Sequence, residues 1–283
     1  MFWAILSPIF LSFSTIFLKK SLLSQVRLSS SCFSLLGFTG YLIFLAYFFF
    51  FWKLDFSTVN WWIIFLVIWV SGLWAIIGTI AQYVYTNEKI SVITPYENLN
   101  KVISMVLSYF IFHDVTFISF LLGIFIVLII IVGSLDFKKI QFPRFFWIFF
   151  LHQVLTAVAT VAIGYALTKV GSVEYFILEN VFMIGMYIIV IFMRRETQEF
   201  KKGNKKFYTN RSLASFMDAC GYFISLVVIA SLGISTSIII SFVYLAAILI
   251  LSYAFFKEIP EKRSVFFSFI VLGLVTLAMY FNS

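Results

Sequence analysis

The chain has 283 residues, of which 63% are hydrophobic and 11% are charged, and its formal net charge is +8. Soluble domains carry about 25% charged residues, so this composition excludes a water-soluble globule and favours a chain folded in lipid. The two cysteines, Cys32 and Cys220, lie far apart in sequence and form neither a disulfide framework nor a metal-ligand spacing. We therefore expect no metal and no cofactor.

Long apolar segments recur along the whole chain and predict membrane-spanning helices, since a helix needs about 20 mostly apolar residues to cross the hydrocarbon core. The segments lack the period-two alternation of a membrane barrel. The first segment has no basic residue before it, unlike a signal peptide, and we expect it to be retained. The ten predicted spans are 2–18, 30–52, 61–86, 90–112, 116–135, 145–168, 173–193, 212–231, 234–256 and 264–281.

The basic residues alternate between the two sides of a ten-span chain. Of the 20 Lys and Arg residues, 17 fall in the connections that follow odd-numbered spans. The positive-inside rule makes these connections cytoplasmic, so both termini are predicted on the non-cytoplasmic side. We expect an integral protein of a bacterial inner (plasma) membrane. Segment 194–211 is predicted as the one substantial soluble loop, and we interpret its basic residues as a topology signal, with binding of a partner or of anionic headgroups as the alternative.

The two halves of the chain align without gaps at one offset of 144 residues. An odd number of spans in each half inverts the second half, so we expect two inverted five-helix repeats, 1–140 and 141–283, in one transmembrane domain. Such repeats serve alternating access around a site near mid-membrane. Residues 90–114 lie over 234–258, and the identical pairs are Ile90/Ile234, Ser91/Ser235, Leu107/Leu251, Ser108/Ser252, Tyr109/Tyr253 and Phe112/Phe256.

This layout resembles the drug/metabolite transporter superfamily, and within it the EamA type. The resemblance is carried by residues 108–114 and 252–258, each ending in a charged pair before the last span of its half. His113-Asp114 replaces the acidic pair that is typical of the family, whereas Lys257-Glu258 looks typical. The resemblance implies a substrate cavity lined by spans 1, 3, 4, 6, 8 and 9, with spans 5 and 10 at the periphery. It implies no particular substrate.

Polar residues spaced three or four apart give each of these six spans one polar face. Polar groups are costly in lipid, so we expect these faces to meet protein or water. The faces hold Ser71, Trp74, Gly78 and Gln82 in span 3; Thr94, Glu97, Asn100, Lys101, Ser104 and Ser108 in span 4; His152, Thr156 and Thr160 in span 6; Ser215, Asp218, Tyr222 and Ser225 in span 8; and Ser237, Ser241, Tyr244 and Ser252 in span 9. In span 1, Pro8, Ser12 and Ile16 match the three residues of span 6.

Three charged residues on these faces are candidates for substrate recognition. Glu97 and Lys101 lie four residues apart on one helix, where opposite charges can meet. They form either a structural ion pair or polar contacts with the substrate. With Asp218, a cavity containing Lys101 would hold a carboxylate and an ammonium together, which favours a zwitterion. His152 is either a hydrogen-bonded residue of the wall or a group that couples transport to protons. Glu179 is predicted to pack between helices.

The leading hypothesis is a secondary transporter of a small polar zwitterion, such as an amino acid or related amine. The chain has no P-loop, GxGxxG or HExxH motif, so we expect no enzyme and no nucleic-acid partner, and any uphill transport needs a coupling proton or other ion, or exchange. The alternatives are an organic-cation or drug exporter with an aromatic site, a nucleotide-sugar or lipid-precursor transporter, and a membrane-embedded enzyme or lipid-handling protein. We expect a monomer or homodimer. The predicted substrate-binding residues are Glu97, Lys101, Asp218, Asn100, Gln82, Trp74, His152, Tyr222 and Tyr244.

Overall fold

The computed structural model describes residues 2–22, 28–87, 99–113, 116–134, 146–257 and 262–281, and every regular element in these ranges is helical. The described ranges contain two 3-10 helices, η1 (Phe2–Ile5) and η2 (Glu196–Lys202). The α-helices of the described ranges are α1 (Leu6–Leu22), α2 (Ser30–Leu36), α3 (Thr39–Phe51), α4 (Trp61–Asn87), α5 (Leu99–Phe112), α6 (Phe117–Ser134), α7 (Phe146–Leu167), α8 (Ser172–Met193), α9 (Lys205–Leu232), α10 (Ile234–Ser241), α11 (Val243–Phe256) and α12 (Lys262–Phe281).

Six helical stretches in the described part of the chain are long and apolar enough to cross a membrane. Large apolar side chains on the helix surfaces are exposed, among them Phe50 at 82%, Trp147 at 77% and Phe269 at 70%. Lipid accepts such a surface, whereas water does not. The chain is therefore an all-α membrane protein. The six stretches are Trp3–Ser21, Trp61–Ile80, Phe146–Leu167, Ser172–Met193, Lys205–Leu232 and Ile234–Phe256.

Several boundaries differ from those predicted from hydropathy. The predicted span 30–52 is two helices, α2 and α3, separated by Gly37 and Phe38. The predicted loop 194–211 is wrong in its last part, because α9 begins at Lys205 rather than at residue 212. Asn204 explains the earlier start, since its Oδ1 accepts a hydrogen bond from the Phe207 amide at 2.8 Å and caps the helix. The bounds of the predicted span 234–256 are confirmed, although the span is divided at Phe242 into α10 and α11.

The basic connection between α8 and α9 is ordered by η2. Ser29 donates its hydroxyl to Glu196 Oε2 at 2.8 Å and its amide to Glu199 Oε2 at 3.3 Å. Lys202 donates to the same Glu199 carboxylate, and this hydrogen bond lowers the pKa of Glu199 below its ordinary value. Ser29 also caps α2 by accepting a hydrogen bond from the Cys32 amide. These contacts fasten η2 to the beginning of α2.

Contacts between residues group the chain into two compact units. Unit 1 comprises Met1–Gly72 and Ala166–Val227, and unit 2 comprises Leu73–Tyr165 and Val228–Ser283. Each unit therefore takes segments from both halves of the sequence.

Unit 1 has an aromatic core where α2 and α3 pack on α8. The rings of Phe44, Phe48, Phe176 and Phe223 lie in mutual contact, with centroids 5.0 to 6.3 Å apart. Ring pairs at these separations add to the stability that burial alone provides. This core brings α3, α8 and α9 together around the polar residues described below.

Unit 2 is built on the pairing of α6 with α12, and α5 packs against α6 and α10. Its buried core contains Met105, Ile126, Ile239, Phe242 and Val271. These side chains come from four helices and from the link between α10 and α11, and their packing contacts hold these helices together.

Two helices of unit 2 end in the same way. His113 follows α5 and Lys257 follows α11, and both adopt the left-handed conformation, with φ of 51° and 58°. The His113 amide donates to the Tyr109 carbonyl at 3.3 Å, and the Lys257 amide donates to the Tyr253 carbonyl at 3.0 Å. Few non-glycine residues adopt a positive φ. The two helix ends lie 144 residues apart in sequence, which is the offset of the predicted repeat.

Candidate functional site

Asp218 lies within the membrane-spanning helix α9 and receives hydrogen bonds from two other helices of unit 1. The Tyr41 hydroxyl on α3 donates to Oδ2 at 2.7 Å, and the Ser14 hydroxyl on α1 donates to Oδ1 at 3.5 Å. In the described part of the chain, no Lys or Arg nitrogen lies within 4.0 Å of this carboxylate. Asp218 is thus a half-buried acid in a membrane helix, held by neutral hydroxyl groups.

A second acid of unit 1, Glu179 on α8, is 3% exposed. The Tyr175 hydroxyl donates to its Oε1 at 3.3 Å, and the Tyr222 hydroxyl on α9 donates to its Oε2. The Ser71 hydroxyl on α4 donates to the Glu179 backbone carbonyl at 3.5 Å. These contacts tie α8 to α9 and α4, as expected of a residue that packs between helices.

Aromatic rings in mutual contact connect the residues around Asp218 with those around Glu179. The Tyr41 ring stacks on Phe176, with centroids 5.7 Å apart and planes inclined by 13°, and it lies 6.3 Å from the Tyr222 ring. Phe176 and Tyr222 are 6.2 Å apart. Ring faces attract cations, and carboxylates attract them more strongly. The acid–aromatic cluster formed by Tyr41, Phe176, Glu179, Asp218 and Tyr222 has the chemistry to bind an ammonium group.

The break between α2 and α3 lies beside this cluster and is capped by two side chains of α9. Arg211 Nη2 donates to the Phe33 carbonyl at 3.0 Å. The Ser215 hydroxyl donates to the Gly37 carbonyl at 2.6 Å and accepts from the Gly40 amide at 2.7 Å. A broken membrane helix needs such partners because lipid offers none to the freed backbone groups.

The polar residues of α5 lie in unit 2. Lys101 Nζ is 4.6 Å from the centroid of the Phe242 ring, which is a cation–π contact. Asn100 Oδ1 is buried and has no hydrogen-bond partner among the described residues. The Ser235 hydroxyl on α10 donates to the Ser108 hydroxyl at 3.1 Å. Tyr244 on α11 and Trp74 on α4 are half-buried in the same unit.

His152 on α7 also belongs to unit 2 and is 9% exposed. Its Nδ1 lies 3.0 Å from Gln153 Nε2. Its ring is parallel to that of Phe149, with centroids 5.7 Å apart. These contacts favour the interpretation of His152 as a hydrogen-bonded residue of the packed helix wall.

The predicted site residues are thus distributed over both units. Asp218 and Tyr222 lie in unit 1, in the acid–aromatic cluster. Glu97 lies outside the described residues, so the Glu97–Lys101 pair stays a prediction, as does the role of the Gln82 side chain. The predicted residues in unit 2 are Trp74, Asn100, Lys101, His152 and Tyr244.

Sequence reasoning misses two residues beside Asp218. Arg211 precedes Asp218 by seven residues and shares its helix face, but hydropathy assigns it to a loop. The spacing to Ser215 and Asp218 is the signal that could have included it. Tyr41 lies in a nearly uniform apolar run, where no local pattern distinguishes it.

Other chemistry has less support in the described part of the chain. No group of three or more His, Cys, Asp and Glu side chains there is arranged to hold a metal ion. A cavity of about 470 Å³ lies on α6, but apolar residues line it, so it does not suit a polar ligand. The sequence matches no known family model and no curated protein.

Proposed function

We propose that this protein is a secondary transporter that moves a small, amine-bearing polar metabolite, a zwitterion such as an amino acid, by alternating access. The observation that carries the proposal is Asp218, a carboxylate inside a membrane helix with hydroxyl partners and no Lys or Arg nitrogen within 4.0 Å among the described residues. An acid at the centre of a membrane helix costs about 2.5–3.5 kcal/mol, and such residues mark substrate or ion pathways. A bound ammonium group would offset that cost.

The proposed architecture is ten spans in two inverted five-helix repeats, which is the layout of EamA-type transporters. The matching left-handed ends of α5 and α11, 144 residues apart, support the repeat. Inverted repeats provide two arrangements that exchange, and so let one site face either side of the membrane. Uphill transport would draw on a coupling proton or other ion, or on exchange.

The substitution Asp218→Asn tests the proposal. A thermal-shift screen against amino acids and amines first identifies a ligand that stabilises the wild-type protein. Because the amide removes the charge that pairs with the ammonium, we expect uptake of that ligand into proteoliposomes to fall by about tenfold or more. Circular dichroism should show unchanged helix content.

The matched control is Asp55→Asn, which removes an exposed acid outside the helices that accepts a hydrogen bond from the Ser57 amide. We expect wild-type uptake from this control. Wild-type uptake from Asp218→Asn as well would remove Asp218 from the site. No uptake of any amine or amino acid by the wild-type protein would count against the transporter itself.

A second candidate is an organic-cation transporter, and the rings around Asp218 favour it. Tyr41, Phe176 and Tyr222 offer aromatic faces beside two carboxylates, which is the setting in which proteins hold quaternary ammonium groups. Competition for uptake distinguishes the candidates. Inhibition by tetraethylammonium without inhibition by amino acids would favour the organic cation.

A further inference from the structure

Arg211 is the second charged side chain on the face of α9 that carries Asp218. Positions 211, 215, 218 and 222 recur at three- and four-residue steps and so point in one direction. The guanidinium carbon of Arg211 lies over the Phe33 ring, 4.3 Å from the ring centroid. Its Nη2 donates to the Phe33 carbonyl, while its Nε is buried and has no acceptor among the described residues.

This guanidinium has more donors than the described acceptors satisfy. Arginine carries five N–H groups in a planar fork that matches a carboxylate. Asp218 attracts Arg211 electrostatically, yet their charged groups are more than 4.0 Å apart. A buried N–H donor without an acceptor is unfavourable, so the Nε edge is suited to receive an anion.

We propose that Arg211 and Asp218 are the two poles of a zwitterion site within unit 1, where Arg211 binds the carboxylate and Asp218 binds the ammonium. This inference rests on the proposed function and refines it. It assigns the carboxylate of the substrate to Arg211, whereas the sequence alone predicts Lys101. Contacts within the unit support the pairing: Arg211 and Asp218 both face the α2–α3 segment, at Phe33 and at Tyr41.

The spacing of Arg211 and Asp218 along α9 indicates the substrate class. Seven residues of helix separate the two Cα atoms by about 10.5 Å along the axis. Between the poles, Ser215 is already engaged with the Gly37 carbonyl and the Gly40 amide. An α-amino acid carries both charged groups on one carbon, so it matches this spacing less well than a zwitterion whose charges lie several bonds apart. The site therefore fits an elongated zwitterion, such as an ω-amino acid or a short peptide.

Binding of four small probes to the purified full-length protein tests this inference by calorimetry. We expect the wild-type protein to bind 6-aminohexanoate more tightly than hexylamine, hexanoate or glycine. Arg211→Gln should weaken 6-aminohexanoate binding by about tenfold or more and leave hexylamine binding unchanged, because only the carboxylate contact is lost. Asp218→Asn should weaken binding of both amines.

Arg211 also caps the α2–α3 break, so a matched control is needed. Ser215→Ala removes the other capping side chain but keeps both charges, and it should keep the preference for 6-aminohexanoate over hexylamine. Arg211→Lys keeps the charge without the fork, and it should show an intermediate loss of that preference.

Two results would overturn the inference and leave the proposed amine transporter intact. One is equal affinity of the wild-type protein for hexylamine and 6-aminohexanoate. The other is an equal loss of both affinities in Arg211→Gln, which would show that Arg211 only maintains the fold. Failure of the wild-type protein to bind or transport any amine would instead remove the proposed function together with the inference.

Discussion

The shorter of the two hydrogen bonds to Asp218 comes from Tyr41, whose hydroxyl oxygen lies 2.7 Å from Oδ2. Tyr41→Phe removes this donor and keeps the ring that stacks on Phe176. Losing one donor from a carboxylate in a membrane helix costs about 1–3 kcal/mol. We therefore expect a lower free energy of unfolding, measured by chemical denaturation of the detergent-solubilised protein.

Tyr47→Phe is the control for this prediction, since Tyr47 lies on the same helix and is 53% exposed. Removing the Tyr47 hydroxyl should leave the free energy of unfolding within about 0.5 kcal/mol of the wild-type value. Equal effects of the two substitutions would mean that the Tyr41–Asp218 bond adds no stability of its own.

At the residue scale, the sequence predicts which side chains share a helix face but not which side chains they meet. Asp218 is a predicted site residue because an acid in an apolar span is costly. Its partner Tyr41 lies 177 positions away, and only the packing of α3 on α9 brings them together. Arg211 is not among the predicted site residues for another reason: hydropathy places the beginning of the span at residue 212, directly after it.

At the scale of helices, the close approach of α3 to α9 depends on Gly40. A Cβ atom at this position would overlap the backbone of Ser215 and Phe216. Gly40→Ala should therefore destabilise the protein by about 1–3 kcal/mol, even though alanine favours a helix over glycine by about 1 kcal/mol. The thermal unfolding midpoint of the purified variant measures the net effect.

Gly72→Ala provides a matched control within α4, because nothing lies within 4 Å of a Cβ added there. Only the helix-propensity gain applies, so the midpoint should stay unchanged or rise. A rise in the unfolding midpoint for Gly40→Ala as well would show that α3 and α9 can move apart without loss of stability.

Hydropathy locates the helical segments because apolar length is what a bilayer requires. It misses the break between α2 and α3, since Arg211 and Ser215, about 180 positions away, satisfy the freed backbone groups. The start of α9, unlike the α2–α3 break, has a signal in the neighbouring sequence. Asn204 caps the helix three residues before Phe207, and a search for capping residues would have found it.

At the scale of the molecule, the order of segments along the chain does not predict which helices share a core. Units 1 and 2 each combine segments from both halves of the sequence. The offset of the predicted repeat, 144 residues, instead relates two local features, the left-handed residues His113 and Lys257. A core forms between whichever apolar faces meet, so its membership does not follow the order of the sequence.

The distribution of basic residues leads to a prediction for the topology of the whole chain. Of 20 Lys and Arg residues, 17 lie in the connections after odd-numbered predicted spans, and such residues are retained in the cytoplasm. A reporter that is active only in the cytoplasm should therefore be inactive when fused after Ser283. Inserted at Gly203, between η2 and α9, the same reporter should be active and so controls for expression. Activity at both positions would mean that an even number of spans, and not the predicted three, lies between Gly203 and Ser283. The ten-span inverted repeat would then have to be abandoned.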